Sequence, residues 1–476
     1  MTDLATIDLA RRRLLRQMFL TAGAVSAPAW LQACGGDSAL AGEQPTPPLT
    51  PESRLALQPG PLSNIGPLVD AGIDNMLIPE GFSARVVARH RSNPVTGNYD
   101  PLGLSGYVWH EAPDGGAVFP APDGGWVYVS NSEVNLGGSG GSSRDGGVGA
   151  LRFNAQGEVV DAYRILDGTR RNCAGGATPW QTWISCEETG DGYAWECQPL
   201  GGVDDARRLD ALGRFNKEAA AVDLKTRTVY QTEDSGSGRF YRFVCEASDL
   251  VSEDGGNRLR METGRLQVLN VEGFENDGYI ADDAEARRLR RVSWVDVAQP
   301  DQPQGTVRAQ LAEAAETVPG TQFRGGEGLW IYDLPPTLQS VPPGGRVPTR
   351  AVAFFASKGD NRVYAYDIDN DLIQTVFDNA AIDPAFDDVD NVVVSPMGDV
   401  LVAEDGDAMR LIVLVPGGEA KVLMQITSGG SEITGPAFTA DGSRLYFSSQ
   451  RGPTVPLLRT GTGATYEITI PEAFRA

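Results

Sequence analysis

The sequence predicts an all-β fold, a single β-propeller of about five to seven blades with a partly helical insertion. Three observations carry this expectation. A strand–turn–strand phrase recurs: an apolar run, a Gly/Asp turn, a Val/Tyr-rich strand and a terminal carboxylate. Where neighbouring copies are clear, the step is 46 residues from Glu187 to Glu233 and 44 from Asp360 to Glu404, the length of one four-stranded blade. Long helical patterns are scarce over the same region.

In chain order, a basic segment, Arg11-Arg-Arg-Leu-Leu-Arg16, precedes a short apolar run from Met18 to Leu31. Such a run is too short for a comfortable membrane span and reads as a cleavable signal; Arg-Arg-x-Leu-Leu-Arg fits the twin-arginine pattern. Leu31-Gln-Ala-Cys34 resembles a lipobox. Lipidation at Cys34 and plain cleavage nearby are both open, so the expected location is the periplasm or cell envelope, lipid-anchored or free. Residues 35–74 begin with a Gly/Pro-rich stretch and read as a flexible tether, and 75–476 as the propeller. Copies of the phrase end at Asn131-Ser132-Glu133, Glu233-Asp234, Glu404-Asp405 and Gln450, with degenerate members ending at Glu187-Glu188 and Asp360. The stretch 246–322 breaks the rhythm; 282–291 and 307–316 read as short charged helices in an insertion over one face.

The 476 residues include 63 acidic against 40 basic, a formal charge of −23, which excludes a nucleic-acid-binding surface because phosphate backbones need a basic face. His90 and His110 are the only histidines, too few for a His-rich zinc or copper site. Four cysteines follow Cys34, namely Cys173, Cys186, Cys197 and Cys245, and a disulfide among them is open with no readable pairing. If Glu133, Glu187, Glu233, Asp360 and Glu404 are equivalent, they ring a central channel. Five like charges there are tolerable only with cations, and oxygen ligands point to hard ones such as Ca²⁺. The alternative is that these acids cap solvated turns and never meet. Cys173, beside the tight turn at Gly175-Gly176, reads either as a thiolate ligand or as a buried structural cysteine.

Asn172-Cys-Ala-Gly-Gly-Ala-Thr-Pro-Trp180-Gln-Thr-Trp-Ile-Ser-Cys186-Glu-Glu188 resembles the hallmark of the PhoX family of calcium-dependent bacterial alkaline phosphatases. Three later phrases are similar in order: Gly213 to Ala220 with Thr232-Glu233-Asp234 and Phe240-Tyr-Arg-Phe243; Asp390-Asn391 with Glu404-Asp405-Gly406; and Glu432 to Gly442. The resemblance implies a propeller holding Fe³⁺ and Ca²⁺ in its channel, the irons bridged by a thiolate. By motif position the bridge is Cys173, with Glu218 and Glu327 resembling the iron carboxylates. Glu133, Glu187, Glu233, Asp234, Asp390 and Glu404 resemble the calcium-side acids. Arg324, just before Gly325-Gly326-Glu327, stands one residue further from that glutamate than the family's phosphate-binding arginine. The family's Asn-His-Glu reads Asn131-Ser132-Glu133, and its Gln-His-Pro-Gly reads Gln450-Arg451-Gly452-Pro453.

The expected activity is therefore phosphomonoester or phosphodiester hydrolysis of a small-molecule substrate by a monomer. Two alternatives are a non-catalytic, metal-stabilised propeller that binds ligands and a Ca²⁺-dependent propeller lactonase. The lactonase has no need of Cys173.

Overall fold

The structure is a computed structural model that describes residues 47–134, 146–253, 256–378, 386–406, 408–453 and 463–475. The signal segment and Cys34 lie outside the described residues. No helix among the described residues is long and apolar enough to cross a membrane. The unit spanning Thr46–Ala476 is described here by itself.

Among the described residues the strands form six blades, each an antiparallel four-stranded meander. Their innermost strands are Pro113–Pro120, Asn172–Ala177, Lys217–Asp223, Gly326–Asp333, Val389–Val394 and Ser431–Phe438. They define blades one to six. Blade six is closed by an early segment: Ser83–Arg89 pairs with Ala464–Thr469 as the outermost strand. Strands continue past the fourth in blades three, four and five. Arg290–Asp296 adds a fifth to blade three, and its Arg290 and Arg291 also pair with Ile373 and Leu372 at the outer edge of blade four. Met76–Pro79 with Leu68–Asp70 extend blade five.

The core has the same sixfold order. Six apolar clusters lie one between each pair of neighbouring blades, such as Val393, Leu401 and Leu411 against Ile433, Leu445 and Phe447 between five and six. Alternating Val, Ile, Tyr and Phe put one apolar row on each side of every blade, and each row is buried by the next blade.

Residues 47–74, expected in a flexible tether, are packed. Leu55, Leu62 and Ile65 are buried, and the backbone N–H groups of Leu55 and Leu62 donate to Gln374 (3.0 Å) and Asp399 (2.9 Å). The leucines spaced among the prolines supply apolar anchors that a tether would lack. The insertion also differs from expectation. Gly264–Val271 is the fourth strand of blade three, and Leu250–Glu253 pairs with Gly256–Leu259 in a hairpin. Among the described residues of the insertion, α-helix is confined to Asp283–Ala286 and Gln304–Glu313, with one 3-10 turn at Ala247–Asp249. From Arg290 the period-two pattern Val292, Trp294 packs on the blade-three core and overrides local helix propensity. Cys173, Cys186, Cys197 and Cys245 are all free thiols.

Every innermost strand carries a β-bulge near its start, between Pro113/Gly116, Asn172/Gly175, Lys217/Ala220, Gly326/Leu329, Val389/Val392 and Thr434/Ala437. Just past the bulges, small residues let neighbouring inner strands almost touch. A Cβ on Gly176 would lie 1.7 Å from the Ala220 carbonyl oxygen, and one on Gly435, at φ +59°, 2.5 Å from that of Asp114. This belt of Gly115, Gly176, Gly328, Gly435 and the alanines beside them leaves a cavity of only about 30 Å³. Gly176→Ala is therefore expected to destabilise the protein by about 1–3 kcal/mol, read as a lower denaturant midpoint with an unchanged slope.

Candidate metal centre in the channel

A β-bulge sets two residues against one on the partner strand and re-aims a side chain. Here the first bulged residue of blades one to five is Asp114, Cys173, Glu218, Glu327 and Asp390; in blade six it is Gly435. Five side chains of a kind that can ligate metal are thereby carried at equivalent positions around the axis. Their oxygen and sulfur atoms approach one another in overlapping triads, each within 4.8 Å: Asp114, Glu133, Cys173; Cys173, Glu188, Glu218; Glu218, Glu327, Asp390; and Asp390, Asp405, Glu432.

Backbone groups freed by the bulges are taken up by the neighbouring blade. Asn131 Nδ2 donates to the carbonyls of Cys173 (3.0 Å) and Ala174 (2.7 Å). The Thr232 hydroxyl donates to the Glu327 carbonyl (2.5 Å) and accepts from the Ala219 N–H (3.0 Å). Asn391 Oδ1 accepts from the Gly435 N–H (2.8 Å), and the Tyr128 hydroxyl donates to its carbonyl (2.9 Å).

A second tier comes from the residue one past the register pair that precedes each bulge: Glu133, Glu188, Asp234, Lys358 and Asp405 in blades one to five. With Glu432, Arg171 and Arg451 these line a cavity of about 380 Å³ above the first tier. Its wall holds eight carboxylates and Cys173 against three cations, Arg171, Lys358 and Arg451. Arg171 is hydrogen-bonded to Glu133 (3.1 Å) and Glu188, and Gln450 Nε2 donates to Asp114 (2.7 Å) and Glu133 (2.9 Å).

Of the residues expected in the site, Cys173, Glu218, Glu327, Glu133, Asp234 and Asp390 are brought together. Glu187, Glu233 and Glu404 are not; their carboxylates face into their own blades. Glu187 accepts from the N–H groups of Arg170 (3.0 Å) and Tyr193 (3.2 Å) and from Trp195 Nε1 (3.3 Å). Glu233 accepts from the Arg239 N–H (3.0 Å), the Tyr241 hydroxyl (3.1 Å) and Arg308 (2.7 Å). Glu404 is clamped by Arg410. In each acidic pair it is the second member that reaches the channel, because adjacent strand residues face opposite ways. Asp360 also stays outside the ring, bound by the Tyr279 hydroxyl (2.5 Å) and Ser357 (3.0 Å). Arg324 is exposed with its guanidinium over the Tyr279 ring, and does not line the cavity.

Asp114, Glu188, Asp405, Glu432, Lys358, Arg171 and Arg451 were not singled out as site residues from the sequence. A signal existed for the first of them. Asp114-Gly-Gly, Cys173-Ala-Gly-Gly, Glu218-Ala-Ala and Glu327-Gly each place a ligand before small residues at the start of an inner strand.

The electrostatics call for cations. Burial, reinforced by neighbouring carboxylates, pushes Asp114, Glu218, Glu327 and Glu432 well above the usual carboxylate range, and Glu188 to about 8. Burial, then Asp114 and Glu218, likewise pushes up the Cys173 thiol. Glu218 Oε1 is buried with no hydrogen-bond partner, and Glu327 Oε1 has only the Lys358 ammonium 3.5 Å away. Orphaned carboxylate oxygens beside a thiol fit metal ions, which replace the protons these groups would otherwise hold.

A family model described as alkaline phosphatase PhoX matches residues 146–208 and 190–338. Among solved structures the chain is similar to Pseudomonas fluorescens PhoX in complex with vanadate, a transition state analogue. The TM-score is 0.61 at 17% identity, over 88% of this chain and 98% of that one. At that identity the likeness shows the propeller fold. A gluconolactonase from Xanthomonas campestris, XC5397, scores 0.38 at 12% identity over 86% and 98% of the two chains, too low to carry an argument. No curated protein matches the chain.

The raised value of Glu188 makes a pH prediction for metal-free protein. The folded state holds a proton that the unfolded chain releases near pH 4.3. That contribution is complete at lower pH and is lost as pH rises through about 8. Metal-stripped protein should therefore melt at a higher temperature at pH 5 than at pH 8.5, and added calcium should reverse the loss at pH 8.5. A melting temperature independent of pH without metal would contradict this.

Proposed function

Given the resemblance to PhoX, we propose that the chain is a metal-dependent phosphoester hydrolase working at the mouth of its channel. The observation that carries the reading is the five-membered ring of bulge residues, Asp114, Cys173, Glu218, Glu327 and Asp390, closed beneath by the glycine belt. Cys173 with Glu218 and Glu327 is a donor set suited to iron; the oxygen-only acids Glu133, Glu188, Asp234 and Asp390 suit calcium. Bound cations would supply the positive field that draws a phosphate dianion into a channel its carboxylates would otherwise repel, and would polarise the ester.

The chain's own residues hold and orient. Asn131 and Thr232 fix the backbone of Cys173 and Glu327, so these ligands are preorganised. Arg171 is tied to two acids, whereas the Arg451 side chain is 63% exposed on the rim, 4.0 Å from Glu432, and is the cation with freedom to bind an incoming phosphoryl group. The glycine belt leaves the substrate one way in. Export by the twin-arginine route to the cell envelope, with lipidation at Cys34 or cleavage nearby, belongs to the same proposal and is supported by the Arg11–Cys34 sequence.

The deciding experiment is metal analysis of the purified protein with p-nitrophenyl phosphate and bis-p-nitrophenyl phosphate turnover, with and without a chelator. Chelator-sensitive turnover and bound iron are expected. Cys173→Ser should lose iron and turnover together, whereas Cys186→Ser, buried in the blade-two core, should keep both. Equal behaviour of the two variants would refute the role of Cys173. A non-catalytic ligand-binding propeller is favoured by one observation, the position of Arg324 away from the cavity; bound metals with no turnover of either ester would select it. Arg451→Ala is expected to raise KM about tenfold, the worth of one charge-assisted hydrogen bond, with kcat little changed.

A further inference from the structure

Strand registers make Glu133, Glu188, Asp234, Lys358 and Asp405 equivalent in blades one to five, so a lysine stands where four other blades carry an acid. Its ammonium lies 2.9 Å from Asp390 Oδ2, 2.9 Å from Asp405 Oδ2 and 3.5 Å from Glu327 Oε1. The Lys358 N–H donates to the Gly325 carbonyl (2.7 Å), which fixes the root of the side chain at the channel wall. An ammonium has three donors and no acceptor, and here it meets three carboxylates.

We propose that Lys358 is a built-in cation that takes the place of one metal ion on the blade-four to blade-five side of the channel. This rests on the metal-centre reading above. Both triads on that side, Glu218, Glu327, Asp390 and Asp390, Asp405, Glu432, include carboxylates already paired with Lys358. A divalent ion placed there would share those oxygens with the ammonium at close range and be repelled by it. On the other side Arg171 pairs with Glu133 and Glu188, but no Lys or Arg among the described residues lies within ion-pair distance of Asp114 or Glu218, so each Cys173 triad keeps two donors without a cation. The Cys173 side thereby keeps its donors for metal ions, and the blade-four to blade-five side holds one ion fewer. The fixed charge leaves the carboxylates of blades four and five compensated even when divalent ions are scarce.

The test is the metal content per chain of the full protein, Lys358→Gln and Lys358→Glu, each equilibrated with calcium, measured by plasma mass spectrometry and by calorimetric titration of calcium. Lys358→Gln keeps the length of the side chain and removes the charge; Lys358→Glu installs the acid of the equivalent blades. Both are expected to bind one more calcium per chain than the unmodified protein. Both should also gain more thermal stability than it does on adding calcium. An unchanged, non-zero count in all three proteins would overturn the inference while leaving the metal centre standing, and so would a lower count in Lys358→Gln. No bound ion in any of the three would instead remove the metal-centre reading and this inference with it. If Lys358→Glu fails to fold, the Gln variant alone decides between these outcomes.

Discussion

A strand that ran straight through the start of each blade would hide its side chains between blades, as every other part of the innermost strands does. The bulge interrupts that alternation and aims one side chain at the axis. The interruption leaves N–H and C=O groups without strand partners, and unpaired buried groups are costly. Asn131, Thr232, Asn391 and Tyr128 absorb that cost by bonding across to the next blade. The same bonds that satisfy the backbone therefore set the spacing of the ligands. Blade packing, glycine belt and ligand ring are one construction.

The charge economy of the protein follows from this geometry. Much of the acidic excess is ordinary surface, but eight carboxylates converge on one cavity. Neutralisation there is divided among guanidinium groups at the rim, one ammonium in the second tier, protons, and the metal ions proposed for the thiol side. Only the last two exchange with solvent, so the stability of the propeller and the occupancy of its channel are thermodynamically linked.

The fold class was legible because the strand–turn–strand phrase repeats, even though the bulge residues step by 59, 45, 109, 63 and 45 residues around the ring. The number of blades was not, because blade six borrows Ser83–Arg89 from far upstream and blade three continues into a fifth strand. Within the site, Cys173, Glu218, Glu327 and Asp390 were found through motif position. Asp114 was missed because Pro-Asp-Gly-Gly has the composition of a turn. Glu187, Glu233 and Glu404 were placed one residue out of phase: period two tells which residues share a face, and the alternation alone does not say which of the two faces meets the channel. Arg324 was carried over from the resemblance, and its guanidinium lies over Tyr279 and not in the cavity wall.

Closure of blade six by residues 83–89 also has a kinetic meaning. Three strands of that blade lie between 431 and 469, so the ring is joined by contacts that span most of the chain. Such contacts are slow to form, because the loop must close before it is rewarded. While the chain is still on the ribosome, Asp114 has no Gln450 beside it and blade one has no neighbour on its open flank. Blade six brings Glu432 and Arg451 to the cavity wall only when the C-terminal strands are made. The rim cation Arg451 thus takes its place last, and the cavity wall is complete only in a finished molecule.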